Sequence, residues 1–164
     1  MMRALMLALL LGASSDVDSA QVASLQVNDL EKRVLLKLLD GKEVEAPREP
    51  GQIWQMDPAM SSDRKWVGWL VAFEGQANNA TPKGVAFLRG RELRTLKVER
   101  MIWRWGFYKD SLVVALGPER PHEPAEYVWY SLPKLELRAS IKRFELNEYD
   151  PEWAHAAKLR SRLE

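Results

Sequence analysis

The sequence has 164 residues, 46% hydrophobic and 29% charged, a composition typical of a globular domain rather than a disordered chain. The 24 basic and 23 acidic residues nearly balance, and this excludes the strongly basic surface that a nucleic-acid partner needs. The chain has no cysteine, which excludes disulfides, thiolate catalysis and cysteine-ligated metals.

The first residues, "MMRALMLALLLGASS", have the order of a secretory signal peptide, because Arg3 precedes an apolar run that ends in small residues. We expect residues 1–15 to be removed, with Ala13 three positions before the cut, and cleavage as late as Ala20 is the alternative. The apolar run is too short to span a bilayer comfortably. The sequence therefore predicts a periplasmic or secreted protein, with no membrane span in the mature chain.

Residues 21–45 allow several interpretations. Gln21 to Leu30 is either a mobile lead-in or a first strand. The stretch "KRVLLKLLDGKEVEAP" predicts a β-hairpin, because Asp40-Gly41 favours the positive φ angles of a type I′ turn. A helix over residues 29–39, with apolar residues spaced by four, is the competing interpretation.

Two longer segments, residues 53–99 and 102–144, repeat a pattern of short alternating strands. Ile53-Trp54 corresponds to Ile102-Trp103, and "VAFL" corresponds to "YVWY", at an offset of roughly 42 to 49 residues, which is the period of a four-stranded propeller blade. In the second segment we expect Trp103, Trp105 and Phe107 to share one face of a strand. The sequence therefore predicts two blade-like repeats.

The C-terminal stretch "YDPEWAHAAKLRSRLE" predicts a helix over residues 151–163. Asp150 is a favoured N-cap residue, Pro151 suits the first helical position, and Glu152 complements the amide end of the helix dipole. We expect this helix to pack onto the sheets through Trp153.

The phrase "SSDRKWVGWLV" resembles the strand-turn-strand signature of bacterial propeller repeats, including the periplasmic propeller of the Tol system. The stretches "IWRWGFYKDSLVVAL", "EYVWYSL" and "PEWA" are similar to a group of small exported bacterial proteins of uncharacterised function. The resemblance covers most of the chain from Lys42 to Trp153 and implies an exported protein with propeller-blade-like repeats. The chain departs from the group's pattern at Glu123 and Ser131, so no metal or redox role is carried over.

Two blades cannot close a ring, because the smallest propellers need about four. The sequence therefore predicts a mainly β fold with two stacked antiparallel meander sheets, as a sandwich or an incomplete propeller, and one short C-terminal helix. Oligomerisation into a toroid is the alternative, and the oligomeric state is left open. We expect a single β domain over residues 21–164.

Few residues suggest chemistry. His122 lies between Glu119 and Glu123, but ligands this close in sequence rarely converge on one metal ion. His155 is expected to be a surface or packed residue of the predicted helix. The chain has no GxSxG motif, phosphate loop or dinucleotide fingerprint. We therefore expect no enzymatic activity, no metal and no cofactor.

The aromatic residues give the remaining signal. Trp66 and Trp69 are an odd number of residues apart, as are Trp129 and Tyr130, so the members of each pair point to opposite faces of a regular strand. Some rings therefore lie outside the core, and exposed rings are common at protein and glycan interfaces. The candidate binding residues are Trp66, Tyr108, His122, Trp129 and Tyr130.

Together these observations predict a non-enzymatic exported protein that serves as a protein-interaction or structural module of the bacterial envelope. A carbohydrate- or peptidoglycan-binding module that uses exposed aromatic rings is the alternative. A hydrolase with its site near His122 is the second alternative. The expected partner is an envelope protein or a glycan.

Overall fold

The computed structural model describes residues 8–9, 13–75 and 81–157 of the chain. The fold is mainly β, with 52% of residues in strands and 6% in short helical turns, which confirms the predicted fold class. Where the sequence predicts one domain, the chain divides into two compact units, residues 1–99 and 100–164. Among the residues described we find no helix with the length and apolar character that crossing a bilayer requires.

The N-terminal unit contains two antiparallel sheets. Its strands in chain order are β1 (Ala8–Leu9), β2 (Ala13–Ser14), β3 (Val22–Asn28), β4 (Arg33–Leu38), β5 (Glu43–Glu45), β6 (Gln52–Met60), β7 (Val67–Phe73), β8 (Gly84–Arg89) and β9 (Glu92–Lys97). Strands β3, β4 and β5 form one sheet, and the other sheet has the order β9-β8-β7-β6. Both β1 and β2 pair with the outer edge of β9.

Residues 21–45 form a sheet of their own, so the prediction of two sheets is wrong, and the described residues contain three. Val22, Val34 and Leu36 are buried, and three strands give them a shared apolar face that a hairpin alone would not provide. The segment after Gln21 is therefore a first strand, and the helix over residues 29–39 is wrong.

The β4–β5 hairpin is confirmed, but its turn differs from the prediction. Gly41 has a φ of 84°, whereas Asp40 is not in the left-handed region that a type I′ turn requires. The Leu38 N–H donates to the Lys42 carbonyl at 2.8 Å, and the Gly41 N–H donates to the Leu38 carbonyl at 3.0 Å. The loop therefore has three residues and ends in a left-handed glycine.

The core of the N-terminal unit lies between its two sheets, which makes this unit a β-sandwich. The residues buried between the sheets are Val22, Val34, Leu36, Ala46, Val67, Trp69, Val71, Ala86, Leu88 and Leu93. A buried glutamine joins the sheets, because Gln55 accepts the Val34 N–H at 3.1 Å and donates to the Ala46 carbonyl at 3.2 Å. All of its side-chain bonds are made to the backbone, so it is satisfied inside the core.

The segment around Ser15 and Ser19 is fastened to the β8–β9 hairpin. The Ser15 N–H donates to the Arg91 carbonyl at 2.7 Å, and the Ser19 hydroxyl accepts the Gly90 N–H at 2.7 Å while donating to the Lys65 carbonyl at 3.1 Å. Cleavage after Ser15 would keep Ser19, whereas cleavage after Ala20 would remove it. Residues 1–7 and 10–12 of the predicted signal peptide lie outside the described residues.

The C-terminal unit is built on one four-stranded antiparallel sheet. Its strands are β10 (Ile102–Phe107), β11 (Ser111–Leu116), β12 (Ala125–Ser131) and β13 (Glu136–Arg143), paired in the order β10-β11-β12-β13. The segment of each predicted repeat thus folds as a meander of four consecutive strands, β6–β9 in the first and β10–β13 in the second.

The predicted α-helix over residues 151–163 is wrong for the part that the structure describes, where a 3-10 helix spans Glu152–Ala156. Asp150 does not cap it, because its carboxylate accepts hydrogen bonds from Arg143 Nε at 2.6 Å and from the Asn147 N–H at 2.9 Å. Residues 158–163 lie outside the described residues. The predicted packing of Trp153 against the sheet is confirmed, since its side chain is buried and stacks on Trp129.

The prediction that Trp103 shares a face with Trp105 is wrong. The register of β10 against β11 shifts between Ile102 and Arg104, and this bulge takes Trp103 out of the alternation. Trp105 is fully buried, whereas Trp103 is 47% exposed and its indole lies against Gly117. A bulge of this kind re-aims a side chain at the edge of a sheet, and β10 is an edge strand.

Candidate functional site

One face of the C-terminal sheet carries two neighbouring rows of side chains. The strand register places Arg104, Ala115 and Tyr127 opposite one another in the first row. It places Gly106, Val113 and Trp129 in the second row. Residues opposite one another on adjacent antiparallel strands share a face, so the chain that returns after β13 can cover either row.

The 3-10 helix covers the second row. A Cβ atom at residue 106 would overlap the Ala156 carbonyl oxygen, so glycine is needed for the helix to approach the strand so closely. The rings of Trp129 and Trp153 stack with centroids 5.7 Å apart and planes inclined by 22°. Tyr108 contacts Trp129 edge-on at 5.9 Å, and its hydroxyl donates to Glu152 Oε2 at 3.1 Å.

A depression of about 370 Å³ lies beside Arg104 of the first row, whose other members, Ala115 and Tyr127, are buried. Its lining consists of Arg104 and Tyr127 from the sheet, Phe144, Glu145 and Leu146 from the segment after β13, and His155 and Ala157 from the C-terminal turn. This volume is at the lower end of the range for small-molecule pockets. We call this feature the Arg104 depression.

The guanidinium of Arg104 is half-buried and has no hydrogen bond or ion pair with any residue that the structure describes. The other half-buried arginine of this unit, Arg100, forms an ion pair with Glu126. Glu145 is the acidic residue of the lining, and it is exposed and not within ion-pair distance of Arg104. The site therefore presents a cation that is available to an incoming anion.

An ion pair joins the two ends of the segment that supplies Phe144, Glu145 and Leu146 to the lining. Arg143 and Asp150 flank the six residues between them, and the Arg143 Nε lies 2.6 Å from Asp150 Oδ1. The Asn147 N–H donates to Asp150 Oδ2, and this bond, reinforced by Arg143, holds the pKa of the Asp150 carboxyl below its usual value. The ring of Phe144 is 71% exposed at the rim of this braced segment.

Two of the five candidate binding residues are inside the protein. Trp66 is 1% exposed and packs against Phe87, with the Arg89 guanidinium 5.0 Å from its ring centre. Tyr130 is 2% exposed, and burial together with the charge of Glu126 raises its pKa to about 12. Neither ring offers a face to solvent.

The structure does not bring the other three candidates together in one site. Tyr108 and Trp129 meet beside the depression, in contact with the C-terminal turn. His122 is exposed at a left-handed position with a φ of 68°, and no described residue forms a hydrogen bond or ion pair with its side chain. The described part of the chain contains no group of three or more His, Cys, Asp or Glu side chains arranged to hold a metal ion.

Sequence reasoning missed Arg104 and Phe144. Arg104 is a charged residue between two tryptophans of one strand, and this aromatic setting is the signal that could have identified it. Phe144 follows the last strand and carries no pattern of its own.

No protein-family model matches the chain, and a search of curated proteins finds no significantly similar sequence.

Proposed function

We propose that this chain is an exported bacterial protein that binds another protein of the cell envelope through the Arg104 depression and has no catalytic activity of its own. The signal-peptide pattern of residues 1–15 supports export. The resemblance to small exported proteins with propeller-blade-like repeats supports the same compartment. The four-stranded meanders agree with that resemblance, and the relation to Tol-type repeats stays a prediction.

The observation that carries this proposal is an arginine without a partner among the described residues, in a depression rimmed by an exposed aromatic ring. Arginine and aromatic residues are the types most enriched at the energetic centres of protein interfaces. A half-buried guanidinium that pairs with no carboxylate among the described residues can gain one from a partner. The Arg143–Asp150 pair holds the rim in place, which lowers the entropy lost on binding.

The protein partner is favoured over a glycan in this depression because the neighbouring rings are already engaged. Trp129 and Trp153 stack on each other, and Tyr108 meets Trp129 edge-on. A sugar stacks on an open ring face, whereas each of these rings already contacts another ring through a face or an edge.

One observation favours glycan binding at a different place. Trp103 is 47% exposed on the edge strand β10, and the neighbouring Met101 is 40% exposed. An exposed indole on a strand edge is a platform on which a sugar ring can stack. Sedimentation with purified peptidoglycan sacculi, using Trp103→Ala as the comparison, tests this second function.

The protein-binding function is tested by crosslinking in cells that express the full-length gene. A photoreactive amino acid replaces Phe144, and the matched control carries it at Leu137, which is 64% exposed on β13. We expect the chain in the periplasmic fraction, with a crosslinked envelope protein from position 144 and none from position 137. A cytoplasmic location, or the same adducts from both positions, would contradict the proposal.

A further inference from the structure

The charges of the C-terminal unit identify the group that the depression lacks. Arg100, Arg138 and Arg143 each have an acidic partner, namely Glu126, Glu136 and Asp150. Arg104 has none in the described chain, although it is less exposed than Arg138 or Arg143. A guanidinium presents a planar pair of N–H donors that matches a carboxylate in bidentate geometry. The missing group is therefore an anion, and a carboxylate fits best.

A second polar group faces the same space. His155 lines the depression from the 3-10 helix, is half-buried, and has no hydrogen bond from its side chain within the described chain. A ring N–H of histidine can donate to an anion in either protonation state, provided that the tautomer suits. Arg104 and His155 thus line the depression from the sheet and from the 3-10 helix.

The apolar part of the lining lies beside these donors. Phe144 and Leu146 both belong to the lining, and the side chain of Phe144 is 71% exposed. A ligand that uses both features must carry a carboxylate and an apolar side chain only a few bonds apart. The last residue of a polypeptide has this arrangement, because its carboxylate and its side chain branch from one Cα atom.

We propose that the Arg104 depression binds the free C-terminus of a partner polypeptide that ends in an apolar residue. The terminal carboxylate pairs with Arg104 and His155, and the last side chain packs against Phe144 and Leu146. Capture of a C-terminal carboxylate is an established mode of peptide recognition. This inference rests on the proposed function, since it names the chemistry of the partner at the same site.

Glu145 adds a preference at the neighbouring position of the ligand. It is the acidic residue of the lining and is exposed. An acidic residue just before the C-terminus of the ligand would be repelled by Glu145, whereas lysine or arginine would be attracted. We therefore expect a basic or neutral penultimate residue.

The test uses the purified full-length chain and short synthetic peptides, with affinity measured by calorimetry. The main probe is N-acetyl-Ala-Lys-Leu with a free carboxylate, and its matched control is the same peptide as the C-terminal amide. We expect the amide to bind roughly tenfold to a hundredfold more weakly, because it removes a charge-assisted hydrogen-bonded pair. N-acetyl-Ala-Glu-Leu should bind more weakly than the lysine peptide.

Two variants of the protein complete the test. Arg104→Gln should weaken binding of the acid peptide by roughly tenfold to a hundredfold and leave binding of the amide unchanged. The control is Arg120→Gln, which removes an exposed arginine of the same unit that lies outside the depression and whose side chain has no partner among the residues described. Circular dichroism of both variants shows whether the fold is retained, and Arg104→Lys, which keeps the charge but not the planar fork, should recover part of the affinity.

Equal affinity for acid and amide peptides, or equal losses in the Arg104 and Arg120 variants, would overturn the inference. So would a preference for N-acetylmuramic acid over the acid peptide, since that result assigns the carboxylate to a glycan. If position 144 crosslinks an envelope protein but no acid peptide binds, the proposed function stands and this inference fails. If neither occurs, both fail.

Discussion

The two meanders have the same strand order, but different structures cover them. A three-stranded sheet covers the inner face of β6–β9, and residues from both sheets form one core. A five-residue 3-10 helix covers one face of β10–β13. It packs on the row of Gly106 and Trp129 and shares a core with Ala115 and Tyr127, but it leaves Arg104 half-buried beside a depression.

This difference shows that the covering segment, rather than the strands, determines where a ligand can bind. A sheet that packs on another sheet excludes water along the length of its strands. A single helical turn is only a few residues long, so a four-stranded sheet extends beyond it. At the border of the covered part a polar side chain such as Arg104 can stay half-buried, whereas burying it without a partner in the closed N-terminal core would be too costly.

The largest expected effect compares one indole from each unit. Trp69→Ala removes a fully buried side chain from the N-terminal sandwich and should lower the free energy of unfolding by about 3 to 5 kcal/mol. Trp129→Ala should cost less, because Trp129 is only half-buried beside the depression. Urea denaturation measures both values, and a larger loss at Trp129 would reverse the comparison.

The next effect concerns the close approach at Gly106. Gly106→Ala places a Cβ atom on the Ala156 carbonyl and should destabilise the chain by about 1 to 3 kcal/mol, with faster hydrogen exchange in residues 152–157. Gly117→Ala is the control. Its Cβ would lie 2.7 Å from the indole nitrogen of Trp103, a half-exposed side chain that can move away. Unchanged exchange in the Gly106 variant would show that the turn does not depend on this contact.

A smaller effect is expected at the N-terminal attachment. Ser19→Ala leaves the Gly90 N–H without its acceptor and should cost about 1 kcal/mol or somewhat more. Ser24→Ala, at an exposed position of β3, should change stability by less than about 0.5 kcal/mol.

The contacts of Ser19 with Gly90 and Lys65 predict that N-terminal sequencing of the exported protein begins at Asp16. A start at Gln21 would mean that the mature fold does without Ser19.

The smallest effect depends on pH. The Asn147 N–H and Arg143 hold the pKa of Asp150 below its usual value, so ionised Asp150 stabilises the folded chain. This contribution is complete above the unfolded carboxyl pKa of about 3.9 and is lost as the pH falls through the lower folded value. Asp150→Asn should remove this part of the acid dependence. If the difference in stability between wild type and variant is the same at pH 3 and pH 7, ionisation of Asp150 does not stabilise the folded chain.

Much of the fold could be predicted from local patterns. The hairpin at Gly41 and the two four-stranded meanders follow from alternation and turn residues, which act over a few positions. The site could not be predicted in this way. Arg104 and His155 are far apart in sequence, and the docking of a turn onto Gly106 brings them to one depression. Trp66 and Trp129 look alike in the sequence, yet one is buried and the other borders the site, because different segments cover their strands.

By itself, the sequence determined the β class, the order of the strands, the two meanders and the absence of cysteine chemistry, because each depends on composition or on neighbours a few residues away. Only the tertiary structure decided that residues 21–45 form a third sheet, that the C-terminal segment is a 3-10 turn, and that Arg104 stays open. Those outcomes depend on which distant segments cover which face, and a one-dimensional pattern does not contain that information.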